Sequence, residues 1–294
     1  MEKLSFKLND EDFTVWHLKG PQNGPVLHWS HANGFNALTY ENLLKKLSTV
    51  CHVYSWDARS HGLTQNVKPA KSGYIYSQYC SDFIELINQL HEKHGTRVIL
   101  SGHSFGATIC IKSELALKNK ISKLILADPV LFTPFYKVMS QILRFIKVKS
   151  PRALYLAHNA RHRQNQWRNR AEVLSIFSQK KLFQNWDQKS LFNYIEYGTK
   201  SFEYGIKLSC PPEIESLIFK ESENEFLSQK IRSFETDTYV FFASKGSPAF
   251  AKNAFNYTRR TIGQSTVLKS NHLFPIEKYK AFSERMIDII LEKN

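Results

Sequence analysis

The run Gly102–Gly106, with the sequence GHSFG, could supply a nucleophile. Its G-x-S-x-G form is a weak signal by itself, since chance alone produces it in about one chain in ten of this length. The run directly follows an apolar strand candidate at Arg97–Ser101 and opens a helix candidate at Ser104–Lys118. Such a strand–turn–helix setting exposes a serine hydroxyl above a sheet, at a helix N-terminus whose dipole stabilises a developing anion. We therefore predict that Ser104 is a nucleophile and not only part of a glycine-rich turn.

Removing the serine proton requires a base, and we predict that this base is His272. It is the last of the eleven histidines in the chain. It lies in a predicted loop between a weak strand candidate at Thr266–Lys269 and a helix candidate at Glu277–Lys293. In α/β-hydrolases, whose nucleophile elbow the run Gly102–Gly106 resembles, the histidine base comes last in the chain, after the final strand. This position favours His272 as the base over a loop histidine without a role.

An oxyanion hole needs two backbone N–H groups that point to one place. One should belong to Phe105, the residue after the serine, and the other to a loop that follows an early strand. The segment His31–Phe35 is such a loop. We predict Asn33 as the second donor and keep Phe35 as the alternative, whereas we expect His31 to brace the loop through hydrogen bonds.

The elements that must position these groups alternate between strands and helices. Short runs rich in Val, Ile and Leu predict buried strands, and apolar residues at helical spacing predict the helices between them. The strand candidates are Leu4–Leu8, Phe13–Leu18, Pro25–Ser30, Val50–Trp56, Arg97–Ser101 and Lys123–Ala127, and the helix candidates are Tyr40–Leu47, Ile75–His94 and Ser104–Lys118. This alternation predicts βαβ units in an α/β fold with a doubly wound, mainly parallel sheet.

From about residue 132 to 235 the pattern is helical and contains no convincing buried strand. The helix candidates there are Pro134–Val148, Arg152–Phe177, Gln188–Phe202 and Pro212–Phe219. A strand pattern returns at Thr238–Ala243. We therefore predict a core formed by residues 1–131 and 236–294, with a helical cap at residues 132–235 inserted after the sixth strand.

Composition excludes several classes of protein. Apolar residues make up 42% of the 294-residue chain, and no apolar run reaches the roughly 20 residues that span a bilayer. The N-terminus lacks the basic start and apolar stretch of a signal peptide, so we expect a cytoplasmic protein. The four cysteines are widely spaced and form no CxxC pair, which argues against a zinc site or a disulfide framework. We expect no metal and no cofactor.

Over its whole length the chain resembles the α/β-hydrolase superfamily. The segment His31–Phe35 resembles the superfamily's HG-type oxyanion loop, and Asn271–Glu277 resembles its histidine loop. The segment Asp57–Thr64 resembles its D-x-R-G-x-G-x-S turn, with Ser60 in place of a glycine. Other segments are similar to a bacterial subgroup of capped serine hydrolases of unassigned substrate: His31–Ala37 with Thr39–Tyr40, Ala127–Val130 and Leu208–Glu213. The resemblance implies an eight-stranded α/β-hydrolase fold, a catalytic triad and a cap over the active site.

The acid of that triad does not stand at its usual place. The resemblance implies an acid after the seventh strand, but the segment Ala243–Phe250 contains neither Asp nor Glu. Some superfamily members supply the acid from the end of the sixth strand, where Asp128 follows Lys123–Ala127. We predict Asp128 as the triad acid. Two alternatives stay open: Asp128 only caps its turn, or Ser247 or a water orients His272 and activity is low.

The net charge of +14 is concentrated in part of the chain, because Pro129–Ala171 contains no acidic residue. Within it, Tyr136–Lys149 is amphipathic. Three interpretations stay open: a solvated basic face, a peripheral contact with anionic membrane lipid, or an arginine that faces the cleft and binds an anionic substrate group. No recognition motif accompanies the charge, so we expect no nucleic-acid partner. The sequence leaves the oligomeric state open.

Together these residues predict a serine hydrolase that cleaves a carboxylic ester, thioester or lactone through an acyl-enzyme on Ser104, with a small acyl substrate as its partner. One alternative is a carbon–carbon bond hydrolase or a peptidase that uses the same triad. Another is a catalytically weak ligand-binding protein on a degenerate hydrolase fold, which the missing acid after the seventh strand would explain. A serine at position 104 argues against haloalkane dehalogenases and epoxide hydrolases, which need an Asp nucleophile.

Overall fold

The computed structural model describes residues 1–131, 152–222, 231, 234–249, 261–267 and 269–292, and the structural statements below concern these residues. The strands are β1 (Glu2–Leu8), β2 (Glu11–Leu18), β3 (Val26–Ser30), β4 (His52–Trp56), β5 (Val98–His103), β6 (Ile121–Ala127), β7 (Gln166–Trp167), β8 (Thr199–Phe202), β9 (Gly205–Leu208), β10 (Asp237–Ala243) and β11 (Thr261–Val267). The α-helices are α1 (Glu41–Leu47), α2 (Ile75–His94), α3 (Phe105–Leu117), α4 (Arg152–Arg161), α5 (Arg170–Ser178), α6 (Gln188–Gly198), α7 (Pro212–Ser222), α8 (Phe274–Glu277) and α9 (Tyr279–Leu291).

One eight-stranded sheet has the strand order β1-β2-β4-β3-β5-β6-β10-β11. Strand β2 pairs antiparallel with β1 and β4, and the pairs from β4 through β3, β5, β6 and β10 to β11 are parallel. Every residue of β3 and of β5 is buried, as expected for parallel strands covered on both faces. The predicted α/β fold with a mainly parallel eight-stranded sheet is confirmed.

Helices cover both faces of this sheet. Helices α2 and α3 pack in one apolar cluster with one face, and α1 and α9 pack in a second cluster with the other. In α2 the predicted apolar positions Phe83, Leu86, Ile87 and Leu90 are all fully buried. Among the described helices, none is long and apolar enough to cross a membrane.

The last strand and helix differ from the predicted bounds. Strand β11 begins at Thr261, five residues before the predicted start, because its polar and glycine-containing residues lack an apolar strand pattern. The final helical segment is divided into α8 and α9, because Lys278 leaves helical geometry at φ −121°. Pro275 lies in the first turn of α8, where its missing N–H is tolerated.

The segment between β6 and β10 contains strands that the sequence did not predict. Strands β7, β9 and β8 form a separate antiparallel sheet in that order. The predicted helix Arg152–Phe177 is divided into α4, β7 and α5, and the predicted helix Gln188–Phe202 ends at Gly198 and continues as β8. These strands of two to four residues are too short for an alternating pattern to stand out. The exclusion of strands from this segment was therefore wrong.

The proposed cap boundaries at residues 132 and 235 stay a prediction. The predicted helix Pro134–Val148 lies outside the described residues, as do residues 223–230. Helices α4 and α7 pack against each other, and α7 also contacts α2 of the core. The described part of the segment is thereby connected to the core on the side of α2.

The parallel strands deliver the predicted site residues to one edge of the sheet. Carboxyl ends of parallel strands lie together, and in open α/β sheets this edge forms the ligand crevice. The residues that directly follow these ends are His31 after β3, Ser104 after β5, Asp128 after β6 and Ser244 after β10, and the loop after β11 carries His272.

Candidate active site

Ser104 stands at a sharp turn between β5 and α3. Its φ of 55° and ψ of −113° place it outside the regions that non-glycine residues usually adopt. Two glycines permit this turn. A Cβ on Gly106 would lie 2.2 Å from the carbonyl oxygen of Ser30, and one on Gly102 would lie 2.7 Å from the carbonyl carbon of Gly106. Close backbone packing therefore holds the serine at the start of the helix.

The Ser104 hydroxyl lies within hydrogen-bond distance of His272. Its Oγ is 2.9 Å from His272 Nε2, while His272 Nδ1 is 2.7 Å from Asp128 Oδ2. Since a carboxylate oxygen accepts, Nδ1 carries the proton, and Nε2 is left to accept from the serine hydroxyl. The three predicted residues thus form one hydrogen-bonded chain.

Asp128 is fully buried, and three groups donate to its carboxylate. Besides His272 on Oδ2, the Ser247 hydroxyl is 2.5 Å from Oδ1 and the Ala243 N–H is 3.3 Å from it. These donors offset the cost of burying the carboxylate. Asp128 therefore contacts the imidazole directly, and Ser247, the alternative considered for orienting His272, donates to Asp128 instead.

Both predicted oxyanion donors line the cavity next to Ser104. Among the described residues, neither the N–H of Asn33 nor that of Phe105 has a backbone acceptor. The alternative donor, Phe35, has its N–H bonded to the Ala32 carbonyl at 3.1 Å. The geometry therefore favours Asn33 over Phe35 as the second donor.

Two buried histidines brace the loop that carries Asn33. His31 Nδ1 donates to the Ala32 carbonyl at 2.7 Å, and its Nε2 accepts from the Ala58 N–H at 3.0 Å. His61 Nε2 accepts from the Gly34 N–H at 3.1 Å. Burial lowers the pKa of both imidazoles, that of His61 to about 4. The bracing role expected for His31 agrees with these contacts, whereas the part played by His61 was not predicted.

A third buried histidine connects the same loop to the His272 loop. His103 Nε2 lies 2.8 Å from the His272 carbonyl oxygen, so this nitrogen donates. His103 Nδ1 then accepts from the Tyr40 hydroxyl at 2.8 Å, and that hydroxyl accepts from the Ala32 N–H at 3.2 Å. Burial lowers the pKa of His103, which keeps the ring neutral and this pattern intact. In the sequence, the position directly before Ser104 was the only feature of His103 that suggested a role in the site.

A cavity of about 770 Å³ opens onto Ser104 and His272. Its wall is mainly apolar, with Phe35, Leu156, Ile218 and Phe219 among the lining residues. This is the size and character of a site for a small organic molecule. Within the described residues, no group of three His, Cys, Asp or Glu side chains could hold a metal ion.

A partly buried ion pair interrupts this apolar wall. Arg163 Nη1 lies 3.1 Å and 2.9 Å from the two carboxylate oxygens of Glu215. Burial raises the pKa of Glu215, and the Arg163 guanidinium opposes that shift. The pair adjoins the proposed oxyanion loop, because the Asn33 amide donates to the Glu215 carbonyl at 2.9 Å. The sequence indicated an arginine in the cleft only as one of three alternatives.

The sequence profile of a family described as "Alpha/beta hydrolase family" matches residues 26–201, more than half of the chain. Protein phosphatase methylesterase 1 of Kluyveromyces lactis is 32% identical over 97 residues, which is 29% of this chain and 25% of that protein. The 2-(acetamidomethylene)succinate hydrolase of Mesorhizobium japonicum is 30% identical over 113 residues, 38% of this chain and 37% of that protein. The aligned regions thus span well under half of these relatives.

A crystal structure of E-2-(acetamidomethylene)succinate hydrolase resembles the whole chain. Its TM-score is 0.77 at 17% identity, and the alignment covers 98% of this chain and 99% of that one. At this level of identity the similarity concerns the fold. With 98% of this chain covered, the likeness extends beyond the residues of the eight-stranded sheet.

Proposed function

The chain belongs to the alpha/beta hydrolase family, and we propose that it is a serine hydrolase that cleaves a carboxylic ester, thioester or lactone. The observation that carries the proposal is the hydrogen-bonded chain from Ser104 through His272 to Asp128, with distances of 2.9 Å and 2.7 Å. This arrangement of nucleophile, base and orienting acid is recognised by its geometry and not by sequence position. The names of the two relatives, a methylesterase and a hydrolase, also support hydrolysis.

The first half of the reaction forms an acyl-enzyme. Ser104 Oγ bonds to the substrate carbonyl carbon while its proton passes to His272 Nε2, and Asp128 stabilises the resulting imidazolium. The N–H groups of Asn33 and Phe105 hold the negative oxygen of the tetrahedral intermediate. When the bond to the leaving group breaks, His272 returns the proton to the departing oxygen or sulfur. The acyl group is then esterified to Ser104.

The second half uses water in the same way. His272 Nε2 takes a proton from water as its oxygen bonds to the acyl carbon, and the same two N–H groups hold the second oxyanion. Breakage of the bond to Ser104 Oγ releases the carboxylic acid, and the proton on Nε2 restores the serine hydroxyl. Both halves use the same three side chains, the two backbone N–H groups and water.

A panel of p-nitrophenyl esters with acyl chains of two to eight carbons tests this function. We expect measurable turnover by the wild-type protein and a fall in kcat of at least about 10⁴-fold in Ser104→Ala and in His272→Ala. Ser77→Ala, which changes an exposed serine on α2, is the matched control and should retain wild-type rates.

Two results would contradict the proposal. One is the absence of turnover across the panel by protein that is folded by circular dichroism, which would favour the ligand-binding alternative. The other is turnover that persists in Ser104→Ala, which would place the chemistry elsewhere.

A further inference from the structure

We propose that Arg163 binds an anionic group of the substrate, so that the substrate class is an ester, thioester or lactone that also carries a carboxylate. The inference rests on the proposed function of Ser104 and adds a recognition site to the same cavity. Arg163 and Ser104 both line that cavity. One molecule can therefore occupy both positions.

The guanidinium retains donors that its protein partners do not use. An arginine has five N–H donors. Two of them are directed from Nη1 to Glu215, and Nη2 is 3.4 Å from the Tyr194 hydroxyl. Among the described residues, the Nε–H of Arg163 has no acceptor. The Nε and Nη2 edge is the edge that binds a carboxylate with two parallel hydrogen bonds.

The charges around the cavity also favour an anion. Among the described residues that line the cavity, three carry a cationic side chain, Arg163, Lys181 and Lys245, and one carries a carboxylate, Glu215. Neither Lys181 nor Lys245 forms an ion pair with a described residue. Both lysines are exposed, so they attract an anion at the entrance, while the partly buried Arg163 holds it in a less screened place.

The site is placed where a bifunctional acyl substrate would reach it. The Arg163–Glu215 pair adjoins the loop of the proposed oxyanion donor Asn33, since the Asn33 amide donates to the Glu215 carbonyl. A Cβ on Gly34 would lie 2.9 Å from Glu215 Oε1, which shows how closely the loop packs on the pair. A carboxylate on Arg163 and a carbonyl at Ser104 can then belong to one molecule in the same cavity.

The test compares two esters of equal chain length. Mono-p-nitrophenyl adipate carries a terminal carboxylate where p-nitrophenyl hexanoate carries a methyl group. We expect a kcat/KM at least tenfold higher for the adipate ester, and a preference that declines as NaCl is raised to 0.5 M. Equal values for the two esters would overturn the inference and leave the proposed function standing.

The variants remove the ion pair without leaving a buried charge. Loss of one partner would strand the other, so the informative variant is Arg163→Met with Glu215→Gln. It should bring the ratio of the adipate kcat/KM to the hexanoate kcat/KM close to one. Arg168→Met, which changes an exposed arginine outside the cavity lining, should keep the preference. A preference that survives in the double variant would overturn the inference.

A binding measurement separates the two proposals. Calorimetric titration of adipate into Ser104→Ala should give binding that weakens at least tenfold when the Arg163→Met and Glu215→Gln changes are added. Absence of adipate binding by Ser104→Ala would overturn the inference whatever the ester rates are. Adipate binding without turnover of either ester by the wild type would overturn the proposed function alone.

Discussion

Asp128 is fixed by more contacts than its role as a partner of His272 requires. It follows β6 with a φ of 47°, a strained conformation for a non-glycine residue. The Ser247 hydroxyl and the Ala243 N–H hold its second carboxylate oxygen. Both donors lie in the segment Ala243–Phe250, which contains neither Asp nor Glu. This segment therefore supplies hydrogen-bond donors that hold Asp128, the acid that follows β6, and does not supply an acid of its own.

We expect Asp128→Asn to lower kcat by about 10⁴-fold with little change in KM. The amide keeps the shape of the carboxylate but can donate to His272 Nδ1, which favours the imidazole tautomer that cannot accept the serine proton. Ser247→Ala is the graded control. It removes one donor to Asp128 and should lower kcat about tenfold or less. Steady-state kinetics that leave Asp128→Asn within tenfold of wild type would exclude Asp128 from the triad.

We expect His103 to position the His272 loop, because its ring is hydrogen-bonded to both the Tyr40 hydroxyl and the His272 backbone carbonyl. His103→Phe keeps an aromatic ring but leaves the Tyr40 hydroxyl and the His272 carbonyl without partners. Each unsatisfied buried group costs about 1–3 kcal/mol, and we expect the free energy of unfolding in urea to fall accordingly. The ester kcat should fall about tenfold because the His272 loop loses an anchor.

Tyr40→Phe is the matched comparison, since it removes the hydroxyl contact and leaves the His272 carbonyl bonded. It should affect kcat less than His103→Phe does. Equal effects of the two changes on kcat would contradict a positioning role for the contact between His103 and His272.

Part of the candidate site could be predicted from the sequence, because some of its residues are marked by their position along the chain. Ser104 and the loop with Asn33 directly follow buried strands, and His272 lies in the loop after the last strand. The contacts of His103, His61 and the Arg163–Glu215 pair join residues between 27 and 169 positions apart. The spacing of residues along the chain does not indicate contacts between distant positions, so these contacts are seen only in the structure.

At the scale of elements, the turn between β5 and α3 depends on how closely the helix approaches β3. The first turn of α3 lies against the backbone of Ser30 and His31, so that Gly106 has no room for a side chain. The buried strands and long helices were predictable because their apolar residues recur with one period over many positions. Strands β7 to β9 could not be predicted, because segments of two to four residues are too short to show a hydrophobic period.

We therefore expect Gly106→Ala to lower both the stability of the protein and its ester turnover. Its Cβ would lie 2.2 Å from the Ser30 oxygen and 2.7 Å from the His31 oxygen, both backbone atoms that cannot move alone. We expect a loss of stability above about 3 kcal/mol and at least a 100-fold loss of ester turnover, measured by thermal unfolding and kinetics.

Gly263→Ala in β11 is the control for that change, because among the described residues its Cβ would meet only a ring carbon of Tyr239 at 3.4 Å. Its melting temperature and ester turnover should stay close to those of the wild type. A soluble Gly106→Ala protein with wild-type turnover would show that the close approach of α3 to β3 is not needed.

At the scale of the whole molecule, buried histidines make stability depend on pH. Burial lowers the pKa of His28 to about 3 and of His61 to about 4, and it lowers the pKa of His31 and His103 as well. The unfolded chain binds protons at these positions below about pH 6.5, whereas the folded chain does not until a much lower pH. The free energy of unfolding therefore falls as pH decreases from 6.5 towards 4.

Asp57 opposes this trend in part of the range. Burial raises its pKa to about 6, so the folded protein takes up a proton there more readily than the unfolded chain does. Between pH 7 and pH 5.5 each buried histidine costs about 1 kcal/mol, so the four histidines together exceed the opposing contribution of Asp57. Urea unfolding should give a free energy several kcal/mol lower at pH 5.5 than at pH 7.

His28→Leu isolates one of these contributions. Both His28 ring nitrogens are buried without a hydrogen-bond partner among the described residues, so an apolar side chain of similar size should be tolerated at pH 7. The loss of stability between pH 7 and pH 5.5 should shrink by about 1 kcal/mol relative to wild type. An unchanged dependence on pH would contradict the assignment of the effect to buried histidines.

The most direct test of the central claim is covalent labelling of Ser104. The purified protein is treated with a fluorophosphonate probe, and the intact mass and the modified peptide are determined by mass spectrometry. The account predicts one adduct per chain, located on Ser104, with no adduct in Ser104→Ala and much slower labelling in His272→Ala. A folded wild-type protein that takes up no probe, or an adduct that remains in Ser104→Ala, would contradict it.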